Sequence, residues 1–258
     1  MDLGIEGRKA IVCGASRGLG RACAEALARD GVSVWLVARS EDALGEAVAS
    51  IESAGGRAEG IVADVASEAG RADIVAACPS PDILVNNGGG PPPGDFRKFG
   101  RKDWIQALDA NMLSAIDLIQ RTIDGMIERR FGRVVNVTSH MVKAPVGFLG
   151  LSNGARAGLT GFVGGLARDV AEHNVTLNNL LPGQFDTDRL ASNQQKMADM
   201  RGTDLEAVRD GSRKAIPARR FGEPREFGAA CAFLCSDHAG YITGQNILLD
   251  GGQFPGLL

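Results

Sequence analysis

The chain is poor in the residues that build metal and redox centres. Its three histidines never fall at the spacing of a ligand pair, which argues against a zinc site. The five cysteines, Cys13, Cys23, Cys78, Cys231 and Cys235, form an odd, scattered set with no C-x-x-C pair. Cys231 and Cys235 stand one helical turn apart in an apolar run and read as small core residues, not as metal ligands or a disulfide. No apolar stretch approaches the roughly 20 residues needed to cross a bilayer. The opening MDLGIEGRKAIVCG enters a strand without a charged segment followed by an apolar one, so a cytoplasmic location with no membrane partner is expected. A concentrated positive patch is missing too. The net charge is −3, and the densest basic stretches, RKDW and ERRFGR, are short and mixed, which excludes a nucleic-acid surface. There is no internal repeat and no linker. Finally, the sequence has one tyrosine, Tyr241, in the turn YITGQ.

What is present is a large apolar complement, 44% of 258 residues, enough for a substantial core in one domain spanning 1–258. Apolar, β-branched runs alternate with helical patterns throughout. KAIVCG, VSVWLVA, GRAEGIVAD, PDILVNN, GRVVNVTS, VTLNNLLPG and QNILLDGG read as buried strands. Helices are predicted near 18–30, 41–54, 67–77, 103–128, 151–173 and 224–236. Strict alternation implies right-handed βαβ crossovers and a doubly wound, Rossmann-type α/β domain with a central parallel sheet of about seven strands. The 103–128 helix carries a broad apolar stripe from Trp104 to Met126. The 151–173 helix contains Gly158, Gly161, Gly164 and Gly165, each costing roughly 1 kcal/mol relative to alanine in isolation; close packing against a neighbour, such as a second subunit, would offset this. Residues 187–215 are polar and charged and read as a mobile helical flap over the substrate.

The first predicted strand ends in CGASRGLG, with glycines at 14, 18 and 20, Ser16, Arg17 and Leu19 between them, and a helix opening at Gly18. Glycine turns let backbone N–H groups approach a pyrophosphate, and the helix N-terminus adds partial positive charge. A glycine trio is weak evidence alone; its place between strand one and helix one strengthens it. At the end of the second strand, where an acid would bond the adenosine ribose of NAD, stands Arg39. With Arg17 in the glycine turn, two guanidinium groups suit a 2′-phosphate, so NADP(H) is expected over NAD(H).

Together with Asp64-Val65, NNGG at 86–89, Asn111, Ser139, PGQFDT at 182–187 and RRFGEP…YITGQNILLDGG, these residues resemble the short-chain dehydrogenase/reductase family, nearest in flavour to its 3-oxoacyl-carrier-protein reductases. The resemblance covers essentially the whole chain. It implies hydride transfer between nicotinamide and a small carbonyl or alcohol substrate, an acyl thioester among the candidates, and a homodimer or homotetramer built on the 103–128 and 151–173 helices. It also implies that Asp64 bonds the adenine amino group with the Val65 backbone beside it. Asn87, Gly88 and Gly89 would run beneath the adenosine ribose, and Pro182, Gly183 and Thr187 would hold the carboxamide. Cys13 replaces the usual threonine, and Gly88 a preferred alanine.

In this family a tyrosine donates the proton, a lysine lowers its pKa and binds the nicotinamide ribose, and serine and asparagine complete the tetrad. Counted from Ser139, the tyrosine and lysine register falls on Ser152 and Arg156, a pattern resembling a subgroup in which the tetrad is incomplete. Ser152 is a far weaker and shorter acid than a phenol, and Arg156 keeps its proton; it can still donate to ribose hydroxyls. Asn111 and Ser139 remain as the other catalytic candidates. His140 and Lys143, read as loop residues, are conceivable substitute acids. GGGPPPGDF at 88–96 is either a stiff surface loop or a rigid wall beside the nicotinamide. Three functions follow: a reductase with a rerouted proton, a nucleotide-binding or regulatory protein with little turnover, and, third, recognition of a small ligand's carboxylate or phosphate by Arg156 and Ser152.

Overall fold

Continuous apolar runs that lack polar alternation need cover on both faces, and a parallel sheet with helices on either side provides it. The computed structural model describes residues 1–257. Its strands are β1 (Lys9–Cys13), β2 (Ser33–Ala38), β3 (Arg57–Val62), β4 (Ile83–Asn86), β5 (Gly132–Val137), β6 (Val175–Pro182) and β7 (Asn246–Leu249). They form one seven-stranded sheet in the order β3-β2-β1-β4-β5-β6-β7, with every neighbouring pair parallel. The doubly wound α/β expectation holds.

The helices are α1 (Gly18–Arg29), α2 (Glu41–Ser53), α3 (Glu68–Ala77), α4 (Arg101–Leu108), α5 (Ser114–Glu128), α6 (Gly150–Val170), α7 (Asp188–Arg201), α8 (Leu205–Ala215) and α9 (Pro224–Cys235). On one face of the sheet Val12, Leu36 and Val135 pack with Leu27 of α1 and Phe227 of α9. On the other, Ile11, Leu84, Val134 and Leu177 pack with Ile119 and Met126 of α5 and Leu159 and Val163 of α6. No helix among the described residues is long and apolar enough to cross a membrane, and no group of His, Cys, Asp and Glu there could hold a metal ion.

Two helical expectations are refined. The 103–128 helix is interrupted by a π-helical turn over Asp109–Leu113, which pushes Asn111 out of α-helical register. The 187–215 segment is two helices. Gly202 ends α7 with φ of +60°, and the Asp204 carboxylate caps α8 by accepting from the N–H groups of Glu206 and Ala207, so residues 202–204 form a turn. In α6, two of the glycines have a neighbour within the chain: a Cβ on Gly158 would meet Met112 Sδ at 2.7 Å, and one on Gly154 would meet Trp104 at 3.0 Å. Gly161, Gly164 and Gly165 face open space.

Polar side chains also cross the core. Asn86, Asn136, Asn179 and Asn246 lie in register across β4, β5, β6 and β7. Asn86 donates to Asn136 Oδ1 at 2.9 Å and Asn179 to Asn246 Oδ1 at 2.8 Å. On the opposite face Arg133, 1% exposed, donates from Nε to the Ser236 carbonyl (3.1 Å) and from Nη1 to the carbonyls of Gly132 (2.9 Å) and Asn174 (2.8 Å). Its guanidinium lies 4.3 Å over the Phe131 ring. Burial holds its pKa below the usual arginine range; carbonyl dipoles and an aromatic face stabilise the charge in place of an acid. Replacing it strands several buried carbonyls. Arg133→Met is expected to cost about 3 to 5 kcal/mol, read in thermal unfolding as a Tm lower by roughly 6 to 20 °C.

Candidate active site

The strand order reverses between β1 and β4, and the crevice at such a switch point is where open α/β sheets take ligands. Gly14 leaves β1 with φ of +59°, a left-handed conformation that disfavours any side chain. Gly20 in α1 presses on the same turn: a Cβ there would lie 2.2 Å from the Gly14 carbonyl oxygen. Arg17 occupies the N-cap of α1 without a side-chain cap bond, and the first turn holds no acid. The N-terminal N–H groups thus point at the crevice without a side-chain acceptor, an arrangement that suits an anion. Arg17 and Arg39 are exposed, and neither lies within 4.0 Å of a carboxylate among the described residues.

The neighbouring loops converge here. Asn87, following β4, donates to the Gly14 carbonyl at 3.2 Å. Thr187 caps α7 by accepting from the Leu190 N–H, and its methyl would lie 3.7 Å from a Cβ on Gly18. Asp64 is exposed and turns the chain after β3, accepting from the Ala66 N–H at 3.0 Å. The Val65 carbonyl is held by Arg71 at 2.9 Å. Gly183 donates to the Leu249 carbonyl, and Gly89 has free space around it. Gly88 has a local reason: a Cβ would sit 3.0 Å from the Ala110 carbonyl oxygen, so the π-helical turn presses on the position where the family prefers alanine.

Asn111, Asn87, Gly88, Val65, Cys13 and Arg156 line one cavity. Asn111 is buried; its Nδ2 donates to the Ala107 carbonyl at 3.2 Å, and its Oδ1 has no partner. Arg156, 8% exposed, donates from Nη1 to the carbonyls of both Val137 and Thr138 at 2.7 Å, clamping the end of β5. Burial, and secondarily the charge of Arg189, push its pKa down to about 10. It stays charged at neutral pH.

Ser139 and Ser152 lie outside that lining. Ser139 follows the clamped Thr138 and caps a single 3₁₀ turn, His140–Val142, accepting from the Met141 N–H at 3.2 Å. Ser152 sits one turn before Arg156 on α6 and is half-buried. The chain has already turned at His140, so strand alternation does not govern its direction. Its Nδ1 lies 2.9 Å from the Pro182 carbonyl oxygen, which makes Nδ1 the donor and leaves Nε2, in the neutral ring, an acceptor able to take up a proton. The Lys143 ammonium lies 5.9 Å from the Phe254 ring centroid. Tyr241 is fully exposed and precedes β7, placing it at the N-terminal edge of the parallel sheet, away from the crevice.

A family model described as enoyl-(acyl carrier protein) reductase matches residues 14–253. The chain belongs to the short-chain dehydrogenase/reductase family. It is 36% identical to a 3-oxoacyl-[acyl-carrier-protein] reductase of Vibrio harveyi, covering 98% of this chain and 99% of the relative. It is 35% identical to an acetoacetyl-CoA reductase of Cupriavidus necator, over 96% and 99% of the two chains. The L-sorbose reductase of Gluconobacter frateurii, solved with NADPH and L-sorbose, superposes with a TM-score of 0.94 at 29% identity, covering 100% of each chain. Sequence reasoning did not single out Asn86 as a site residue, and it also lines the cavity.

All five thiols are buried. Burial pushes Cys13 up to about 12 and Cys78 up to about 11, so neither is a reactive thiolate. Titration of the native protein with a chromogenic disulfide at pH 8 is expected to show no fast thiol, and all five only after unfolding.

Proposed function

We propose that this member of the family is an NADP(H)-dependent oxidoreductase acting on a carbonyl or alcohol substrate, with Ser152 and Arg156 in the places of the tyrosine and lysine. The observation that carries this is the buried, charged Arg156, fixed on the Val137 and Thr138 carbonyls in one cavity with Asn111 and Gly88. The residues fit the nucleotide. The uncapped N-terminus of α1 and the turn through Gly14, Ser16, Gly18, Leu19 and Gly20 would hold the pyrophosphate, and Arg17 and Arg39 the 2′-phosphate. Asp64 and Val65 would take the adenine, Asn87, Gly88 and Gly89 its ribose, and Pro182, Gly183 and Thr187 the carboxamide. Bound NADPH supplies the hydride.

The other steps belong to the chain. Arg156 has N–H groups beyond Nη1 that would hold the nicotinamide ribose; being always protonated in the working range, it holds a proton but does not deliver one. Ser139 donates to the carbonyl oxygen as charge develops there. Ser152 is too short and too weak an acid to replace a phenol. The proton would come through His140 Nε2, which takes one up from solvent before passing it on, while the Nδ1–H bond to Pro182 orients the ring. The subunits pair as a homodimer or homotetramer through α5 and α6, where Gly161, Gly164 and Gly165 lie open.

The second reading, a nucleotide-binding protein with little turnover, draws on the outward position of Tyr241, the chain's one phenol. NADPH consumption with acetoacetyl thioesters and activated diketones separates the two. Measurable turnover, reduced about 10²- to 10⁴-fold by His140→Ala, is expected under the first reading. Tight NADPH binding with no turnover across that panel supports the second. A Ser152→Tyr, Arg156→Lys double variant is expected to raise the rate by about 10²- to 10⁴-fold, and no gain would show that more of the site is altered than these two positions. Independently, Arg39→Asp should weaken NADPH binding about 10- to 100-fold while affecting NADH less, measured by fluorescence titration.

A further inference from the structure

Past the end of β3 the chain turns through Asp64 and Val65, and that turn is held from two sides. On its own side the bonds are local. The Asp64 carbonyl accepts from the Ser67 N–H and from Ser67 Oγ, both at 3.0 Å, and the Asp64 carboxylate accepts from the Ala66 N–H at 3.0 Å. Gly70 of α3 lies against the turn, where a Cβ would come within 2.3 Å of the Asp64 carbonyl oxygen. The Val65 carbonyl has no such local donor. The one hydrogen bond it accepts among the described residues comes from Arg71 Nη1, at 2.9 Å.

Arg71 is itself fixed from a third element. Its Nε donates to the Asp117 carboxylate of α5, which also accepts from Arg121 Nε at 2.9 Å. The Arg71 and Asp117 side chains are 15% and 27% exposed, so the pair is largely shielded from the solvent screening that makes exposed pairs worth little. Leu118 and Ile119, buried in the core, anchor α5. A planar guanidinium grips both acceptors at once because its donors point in fixed directions. Asp117, Arg71 and the Val65 carbonyl therefore form a strut from α5 to the tip of the β3 turn.

The strut leaves two groups unspent. The Val65 N–H donates to no backbone acceptor among the described residues, and Asp64 forms no ion pair within 4.0 Å there. Val65 also lines the cavity with Asn86, Asn87 and Gly88. An N–H donor beside a carboxylate acceptor matches the edge of adenine, where a ring nitrogen accepts next to an amino group that donates.

We propose that Arg71 is a positioning residue for the adenine end of the nucleotide, holding the Val65 peptide so that its N–H and the Asp64 carboxylate face the base together. The proposal rests on the nucleotide assignment above and names the residue that gives it discrimination between bases.

The test is fluorescence titration with NADPH and with its reduced hypoxanthine analogue, whose base carries a carbonyl and a ring N–H where adenine has an amino group and a bare nitrogen. Wild type is expected to prefer NADPH by about 10-fold or more. Arg71→Met should weaken NADPH about 5- to 30-fold and the analogue by less than about 2-fold, so that the preference collapses. Arg71→Lys, which restores one donor, should recover part of it, and Asp117→Asn, which slackens the strut from its other end, should lose part of it. A purely structural role would weaken both nucleotides alike. Equal weakening, or an unchanged preference in Arg71→Met, overturns the proposal. Should circular dichroism show Arg71→Met unfolded, an unchanged preference in Arg71→Lys and Asp117→Asn has the same force. If wild type does not distinguish the two nucleotides, or binds neither, the adenine assignment of Asp64 and Val65 fails by itself. Hydrogen exchange at the Ala66 and Ser67 amides of the nucleotide-free protein then decides the strut separately. Exchange faster by about 10-fold or more in Arg71→Met supports it, and unchanged exchange overturns it.

Discussion

In a parallel sheet every strand ends at the same edge, and that constraint settles where this chain can do chemistry. Because the order runs β3-β2-β1-β4-β5-β6-β7, the connections after β1 and β4 leave in opposite directions and the crevice opens between them. The glycine turn, Asn87, Arg156, Ser139 and Thr187 all follow strand ends or abut them. Tyr241 is on the wrong side by the same rule, since it enters β7 rather than leaving it. No local adjustment of a turn brings that phenol across the thickness of the sheet.

Arginine at position 156 changes the energetics of this edge. A lysine there would have three donors around a point charge; arginine spreads five donors over a plane. One nitrogen can therefore serve the last carbonyls of β5 while others remain for a ligand. The cost is a buried charge that cannot escape by losing its proton, since even a pKa of about 10 leaves it ionised at neutral pH. The two carbonyls at 2.7 Å offset part of that cost. Cofactor binding and proton delivery, joined in the family by one tyrosine and lysine pair, would be separable under the proposed assignment of Ser152 and Arg156. The first needs only donors in place, whereas the second needs a group that exchanges its proton.

Features set by local chemistry were legible in the sequence. The glycine turn and the strand and helix alternation both depend on residues close in the chain. Features set by distant partners were not. Arg133 reads as a polar residue opening a strand, and its buried role depends on carbonyls of Asn174 and Ser236. The asparagines of β4 to β7 meet only once strand register is known. The apolar stripe of 103–128 runs through the π-helical turn without a break in hydrophobicity, so its periodicity hid the insertion that seats Asn111. The Met-Arg-Gly-Thr-Asp sequence at 200–204 did carry the turn between α7 and α8, a left-handed glycine followed by a capping acid, masked by the polarity of the whole segment.

Charge shows most clearly why composition alone could not reveal the site. The chain is acidic overall, at −3, yet guanidinium groups without an acid partner stand at the crevice: Arg17 and Arg39, exposed after β1 and β2, and Arg156 in the cavity wall. Several other cations are answered by acids, and Arg133 by carbonyls. Arg220 binds Glu226, Arg213 binds Glu206 and Asp210, Lys214 binds Asp210, and Arg71 and Arg121 share Asp117. A paired surface has a short-ranged field, while unpaired cations beside low-dielectric walls focus theirs into the cleft. An acidic protein can in this way present a local positive field at one edge of its sheet.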